Sequence, residues 1–136
     1  MVAGGVPDHD ENHAHKIASL ALDLIEVIET VKKPDGSSFD IRVGINSGEV
    51  VAGVIGTKKF IYDLWGDAVN TASRMESTGW PNEIQVTEQF AYKLEDNGFR
   101  CVERGEIEIK GEGARPTEWI TGFLIIATPL YTLSSC

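Results

Sequence analysis

The chain has 136 residues, of which 42% are hydrophobic and 24% charged, with a net charge of −9. That length suits one domain with a real core. The negative charge disfavours a nucleic-acid binder, which needs clustered Lys and Arg to displace counterions. The two cysteines, Cys101 and Cys136, form no metal-ligand pattern, and no disulfide is expected between them. No signal peptide is expected at its start, and its longest apolar run, Phe123 to Leu133, is broken by Thr128 and Pro129, too short to span a bilayer. A cytoplasmic chain is expected, with membrane anchoring left to any longer parent.

Met1 to Val6 is apolar with two glycines and reads as the end of a buried strand. From Glu11 to Lys33 the apolar residues Ile17, Leu20, Ala21, Leu24, Ile25, Ile28 and Val31 recur at three and four, which predicts an amphipathic helix ended by Pro34-Asp35-Gly36. Phe39–Ile45 and Glu49–Ile55 read as strands, followed by a polar turn at Thr57-Lys58-Lys59 and a short strand Phe60–Leu64. A helix over Asp67–Ser77 follows, with Asp67 as its cap and Gly79 and Pro81 as its stop. Ile84–Val86 is a short strand, and Thr87 caps a helix Glu88–Asp96 that ends at Asn97-Gly98. Phe99–Glu103 and Glu106–Lys110 read as a hairpin around Arg104-Gly105, and Thr117–Ile120 is the last strand. Helices interleaved with hairpin-joined strands predict an α+β fold, with helices over a mainly antiparallel sheet.

The segment Phe60 to Glu76, FIYDLWGDAVNTASRME, carries the densest chemistry. Asn70 and Arg74 lie four apart, so on a helix they stack on one face, one turn apart. An amide and a guanidinium aimed the same way suit an anionic, oxygen-rich ligand. In DHDENHAH, Asp8 to His15, His9 and His13 have helical i,i+4 spacing. Mg²⁺ prefers carboxylates and phosphates to imidazole, so this segment reads as a solvated helix start and not a metal site. Trp65, Trp80 and Trp119 read as packing or dimer-contact residues.

The run SGEVVAGVIGTKKFIYDLWGDAVNTASRMESTG, Ser47 to Gly79, resembles the catalytic domain of class III nucleotide cyclases, the adenylyl and guanylyl cyclases. The likeness continues through IQVTEQ, Ile84 to Gln89, and ERGEIEIKGEG, Glu103 to Gly113, and takes in MVAGGVP and HKIASLALDLIE upstream. It implies a ferredoxin-like α+β domain over residues 1–122, the C-terminal two-thirds of the catalytic domain, and leaves the apolar tail 123–136 unassigned. It also implies a dimer with active sites at its interface, where the ribose 3′-oxygen attacks the α-phosphorus of a nucleoside triphosphate and pyrophosphate leaves. By position, Asn70 resembles the residue that orients the ribose, and Arg74 the arginine that neutralises charge on the α-phosphate. Asp63 stands where adenylyl cyclases place an acid that accepts from the adenine amino group, which favours ATP over GTP. Lys110 matches a lysine on the terminal phosphates.

The pattern also departs from the family. Its usual KGKG reads KGEG here, with Glu112 for the second lysine, and Pro116 and Glu118 replace a basic residue and an aromatic. The resemblance implies Mg²⁺ or Mn²⁺ as cofactor, held by aspartates whose positions would precede Met1, as would the first strand and the adenine-selective lysine. No metal ligand is therefore expected within this chain, and alone it is expected to be inactive. Three alternatives stay open: a non-catalytic pairing module that complements a metal-bearing partner, a guanylyl cyclase, and a plain domain sharing only the fold.

Overall fold

The computed structural model describes residues 1–6, 8–55, 61–95 and 98–123, and for 51–55, 61–65 and 123 the backbone alone. Helix α1 is His13–Thr30, followed by β1 Val43–Ile45, β2 Val51–Ile55, β3 Ile61–Trp65 and α2 Asp67–Ser77. Then come β4 Ile84–Thr87, α3 Glu88–Leu94, β5 Phe99–Ile109 and β6 Gly113–Phe123. The described strands form a four-stranded sheet in the order β1-β4-β6-β5 and a separate β2-β3 ribbon. β1 pairs parallel to β4, and the other pairs are antiparallel. The fold is α+β, as the pattern of elements predicts.

The core lies between the sheet and the helices. Ile45, Ile84, Val86 and Ile120 of the sheet meet Phe90, Ala91 and Leu94 of α3 and Ala14, Ala18 and Ala21 of α1. The buried stripe of α1 is thus made of alanines, which let the helix approach closely. Leu20, Leu24 and Val31, read from periodicity as part of the apolar face, are instead exposed at 39%, 43% and 41%. Thr87 caps α3 as expected, its Oγ1 accepting from Phe90 N.

Four expectations are corrected. Residues 1–6 form no strand: Met1 and Val2 are exposed, and Gly5 at φ +78° turns the chain out of extended geometry. Asp67 is not the cap of α2, because Gly66 occupies that position at φ 137°, where a side chain is strained. Asp67 keeps a favourable place in the first turn, near the positive end of the helix dipole. The reversal expected at Arg104-Gly105 is absent, since β5 runs unbroken through it with a register irregularity between Glu103 and Gly105. The hairpin turns instead at residues 110–112, with Gly111 and Gly113 at φ +84° and +80°. His9 and His13 do not share a helix turn, because α1 begins at His13. The His13 ring nitrogens bond Asp10 O at 2.8 Å and Ser47 Oγ at 2.7 Å.

Glu118 of β6 lies opposite Glu103 of β5. Burial, then repulsion from Glu88, Glu103 and Glu95, raises its carboxyl above the ordinary range, and the neighbouring Cys101 thiol is pushed up to about 11, mainly by burial. A raised acid favours its protonated form in the folded state, so its contribution is present below the unfolded pKa and lost as pH rises through the folded one. Glu118→Gln should therefore stabilise the protein at pH 7 by about 0.5 kcal/mol and leave it unchanged near pH ~3. Urea titrations at the two pH values check this.

Candidate nucleotide site

Two helix faces, offset by one residue in sequence, divide the work of α2. Thr71 and Met75 are buried at 1% and 0%, facing β1. Asn70 and Arg74, also at i,i+4, face solvent. The helix can lie this close because β1 carries Gly44: a Cβ there would sit 2.5 Å from the Met75 carbonyl carbon and 2.7 Å from Ala72 O. β3 feeds directly into this helix through Gly66, so Asp63 and Asn70 belong to one strand-turn-helix unit.

Arg74 Nε donates to Glu108 O of β5 across 3.4 Å, a long and weak bond. Lys110 stands two residues beyond Glu108, at the start of the β5–β6 turn. The side chains of Asn70 and Lys110 are exposed and have no hydrogen-bond or ion-pair partner among the described residues. Asn70 and Arg74 thus share one exposed face of α2, and the β5 segment that Arg74 touches leads into Lys110. Asp63 pairs with Gly53 through the backbone, but its side chain lies outside what is described. Glu112, itself exposed, accepts from Thr71 Oγ1 at 3.4 Å and pairs with Arg115 at 3.7 Å. Its charge is partly offset by Arg115 rather than set against Lys110.

A cleft of about 200 Å³ opens at the start of α2, lined by Asn46, Ser47, Asp67, Thr71, Glu112 and Arg115, among others. Among the described side chains, Asn70, Arg74 and Lys110 do not line it. Among the described residues no group of three or more His, Cys, Asp or Glu side chains is placed to hold a metal ion. The described residues therefore do not fit a resident two-metal site.

Sequence reading missed a polar network at the far end of α2. Gln85, fully buried in β4, donates to Met75 O at 2.9 Å and to Thr78 Oγ1 at 2.8 Å. Arg104 Nη1 donates to Thr78 O at 2.7 Å and to Gln85 Oε1. Its guanidinium lies 5.4 Å from the Trp80 ring centroid and 4.8 Å from that of Trp119. The one local signal was a glutamine inside an otherwise buried strand.

The chain matches the Adenylate and Guanylate cyclase catalytic domain over residues 1–124 and belongs to that family. It is 44% identical to an adenylate cyclase of Mycobacterium tuberculosis over 129 residues, covering 95% of this chain and 29% of that protein. It is 46% identical over 121 residues to guanylate cyclase soluble subunit beta-2 of Rattus norvegicus, covering 88% of this chain and 18% of the relative. Among solved structures it is similar to the guanylate cyclase domain of RhGC from Catenaria anguillulae in complex with GTP. The TM-score is 0.81 and the identity 39%, over 88% of this chain and 65% of that one. This chain thus spans under a third of its curated relatives and about two-thirds of that solved domain. Among the described residues no helix is long and apolar enough to cross a membrane.

Proposed function

We propose that this chain provides the nucleotide-recognition face of an adenylyl cyclase site, forming 3′,5′-cyclic AMP and pyrophosphate from ATP across a dimer seam. The observation that carries this reading is the exposed set Asn70, Arg74 and Lys110, whose side-chain donors are unspent within the described fold apart from the long bond of Arg74 Nε to Glu108 O. In the reaction the ribose 3′-oxygen bonds to the α-phosphorus, the bond from that phosphorus to the pyrophosphate oxygen breaks, and the 3′-hydroxyl proton is lost. Asn70 orients the ribose. Arg74 offers planar paired donors to the α-phosphate oxygens as charge builds there. Lys110, a point charge on a flexible stem, holds the terminal phosphates.

Asp63 supports ATP as the substrate. A carboxylate accepts from the adenine amino group, whereas guanine would set its O6 acceptor against another acceptor. The relatives include both adenylate and guanylate cyclases, so this selection needs its own test. The purified chain is mixed, with Mg²⁺ or Mn²⁺, with a cyclase domain that carries metal-binding carboxylates but has lost its own ribose- and phosphate-binding residues. Cyclic AMP should form only in the mixture, and Asp63→Cys should erode the preference for ATP over GTP by about 10–100-fold, the worth of one charged hydrogen bond. Preference for GTP by the unaltered chain would make it a guanylyl cyclase. Product from the chain alone would remove the need for a metal-bearing partner, and no product from either nucleotide would overturn the proposal.

A further inference from the structure

We infer that Arg104 is a positioning residue for Arg74, holding the C-terminal turn of α2 so that the guanidinium one turn back is aimed at the substrate. This rests on the reading that Arg74 acts on the α-phosphate. The last carbonyls of a helix have no partner within it, and here a continuous set of donors reaches them. Arg74 O accepts from Thr78 N at 3.0 Å and from Thr78 Oγ1 at 2.7 Å. Thr78 Oγ1 in turn accepts from Gln85, which also holds Met75 O. Arg104 closes the set by donating to both Thr78 O and Gln85 Oε1. From Arg104 to the backbone of Arg74 there is an unbroken run of hydrogen bonds.

Other features fix Arg104 itself. Its guanidinium packs against the rings of Trp80 and Trp119, whose centroids are 5.2 Å apart, an arrangement that favours a cation over the ring faces. It projects from the irregular register between Glu103 and Gly105, and such an irregularity re-aims a side chain that a regular strand would point elsewhere. A cation at the C-terminal end of α2 also complements the helix dipole. Glu108, whose carbonyl receives Arg74 Nε, lies on the same strand as Arg104. β5 therefore holds α2 at two points, one at Arg74's side chain and one below its backbone.

The test uses the complemented dimer and four variants: Arg104→Met, Thr78→Val, Arg74→Ala and the double variant Arg74→Ala/Arg104→Met. Arg104→Met keeps an unbranched stem against the tryptophans but removes the donors. Thr78→Val removes the hydroxyl that links Gln85 to Arg74 O, at a partly exposed position, and leaves the Thr78 N bond to Arg74 O in place. Arg104→Met and Thr78→Val should each lower kcat by about tenfold, within the hundredfold that a misplacement of about 1 Å can cost, with KM moved less than about twofold. The double variant should be no slower than Arg74→Ala, because residues acting through one group are not additive. Hydrogen exchange at the amides of Thr78 and Gly79 should accelerate in Arg104→Met. Unchanged kcat in a folded Arg104→Met, or a further tenfold loss on top of Arg74→Ala, would overturn the inference. Should Arg104→Met fail to fold, Thr78→Val alone and on the Arg74→Ala background decides by the same criteria. An Arg74→Ala variant with full turnover would instead sink the proposed function itself.

Discussion

Arg74→Ala should lower turnover of the complemented dimer by about 10²–10³-fold, the usual loss when a donor to developing transition-state charge is removed. Stability should barely change. The side chain is exposed, and its one bond within the described fold is the 3.4 Å contact with Glu108 O, so truncation falls among surface changes of about 0.5 kcal/mol or less. The two effects together separate a residue kept for chemistry from one kept for folding. Arg74→Lys should recover only part of the rate, because an ammonium restores the charge without the planar pair of donors. Steady-state kinetics, with sedimentation to confirm assembly, read both quantities. Turnover within threefold of the unaltered chain would show that the guanidinium does not meet the reacting phosphate.

Gly44→Val should be the most destabilising single change in the region, costing about 3 kcal/mol or more. The reason is specific to where α2 sits. Most added methyl groups meet side chains that can rotate away, but here the neighbours are main-chain atoms of residues 72, 75 and 76. The helix must therefore lift off β1 or the strand must bend. Either movement carries Asn70 and Arg74 with it, so turnover should fall even under conditions that keep the protein folded. Urea unfolding and the complemented assay measure the two losses. An unchanged midpoint would mean that α2 does not rest on the β1 backbone.

Several elements were legible because local chemistry and tertiary packing agree there. The bounds Asp67–Ser77 follow from a glycine turn before the helix and a Gly and Pro after it, and the structure has the same bounds. Thr87 caps α3 as its position before a helical run suggests. The hairpin turn was misplaced because Arg104-Gly105 and Lys110-Gly111-Glu112-Gly113 both have turn composition, and pairing of β5 with β6 over its whole length decides between them. That choice moves Lys110 to the turn itself. The buried side of α1 was partly misread because alanines carry little hydrophobic signal yet permit the closest packing. The Gln85–Arg104 network joins residues 19 apart, and no local pattern announces a contact of that kind.

The most direct test is a structure of the dimer holding a non-cyclising ATP analogue. Arg74 should lie within about 3 Å of an α-phosphate oxygen, Lys110 against the terminal phosphate, Asn70 at the ribose and the Asp63 carboxylate at the adenine amino group. An analogue seated away from these four residues, for instance in the cleft lined by Asn46, Ser47 and Arg115, would contradict the account.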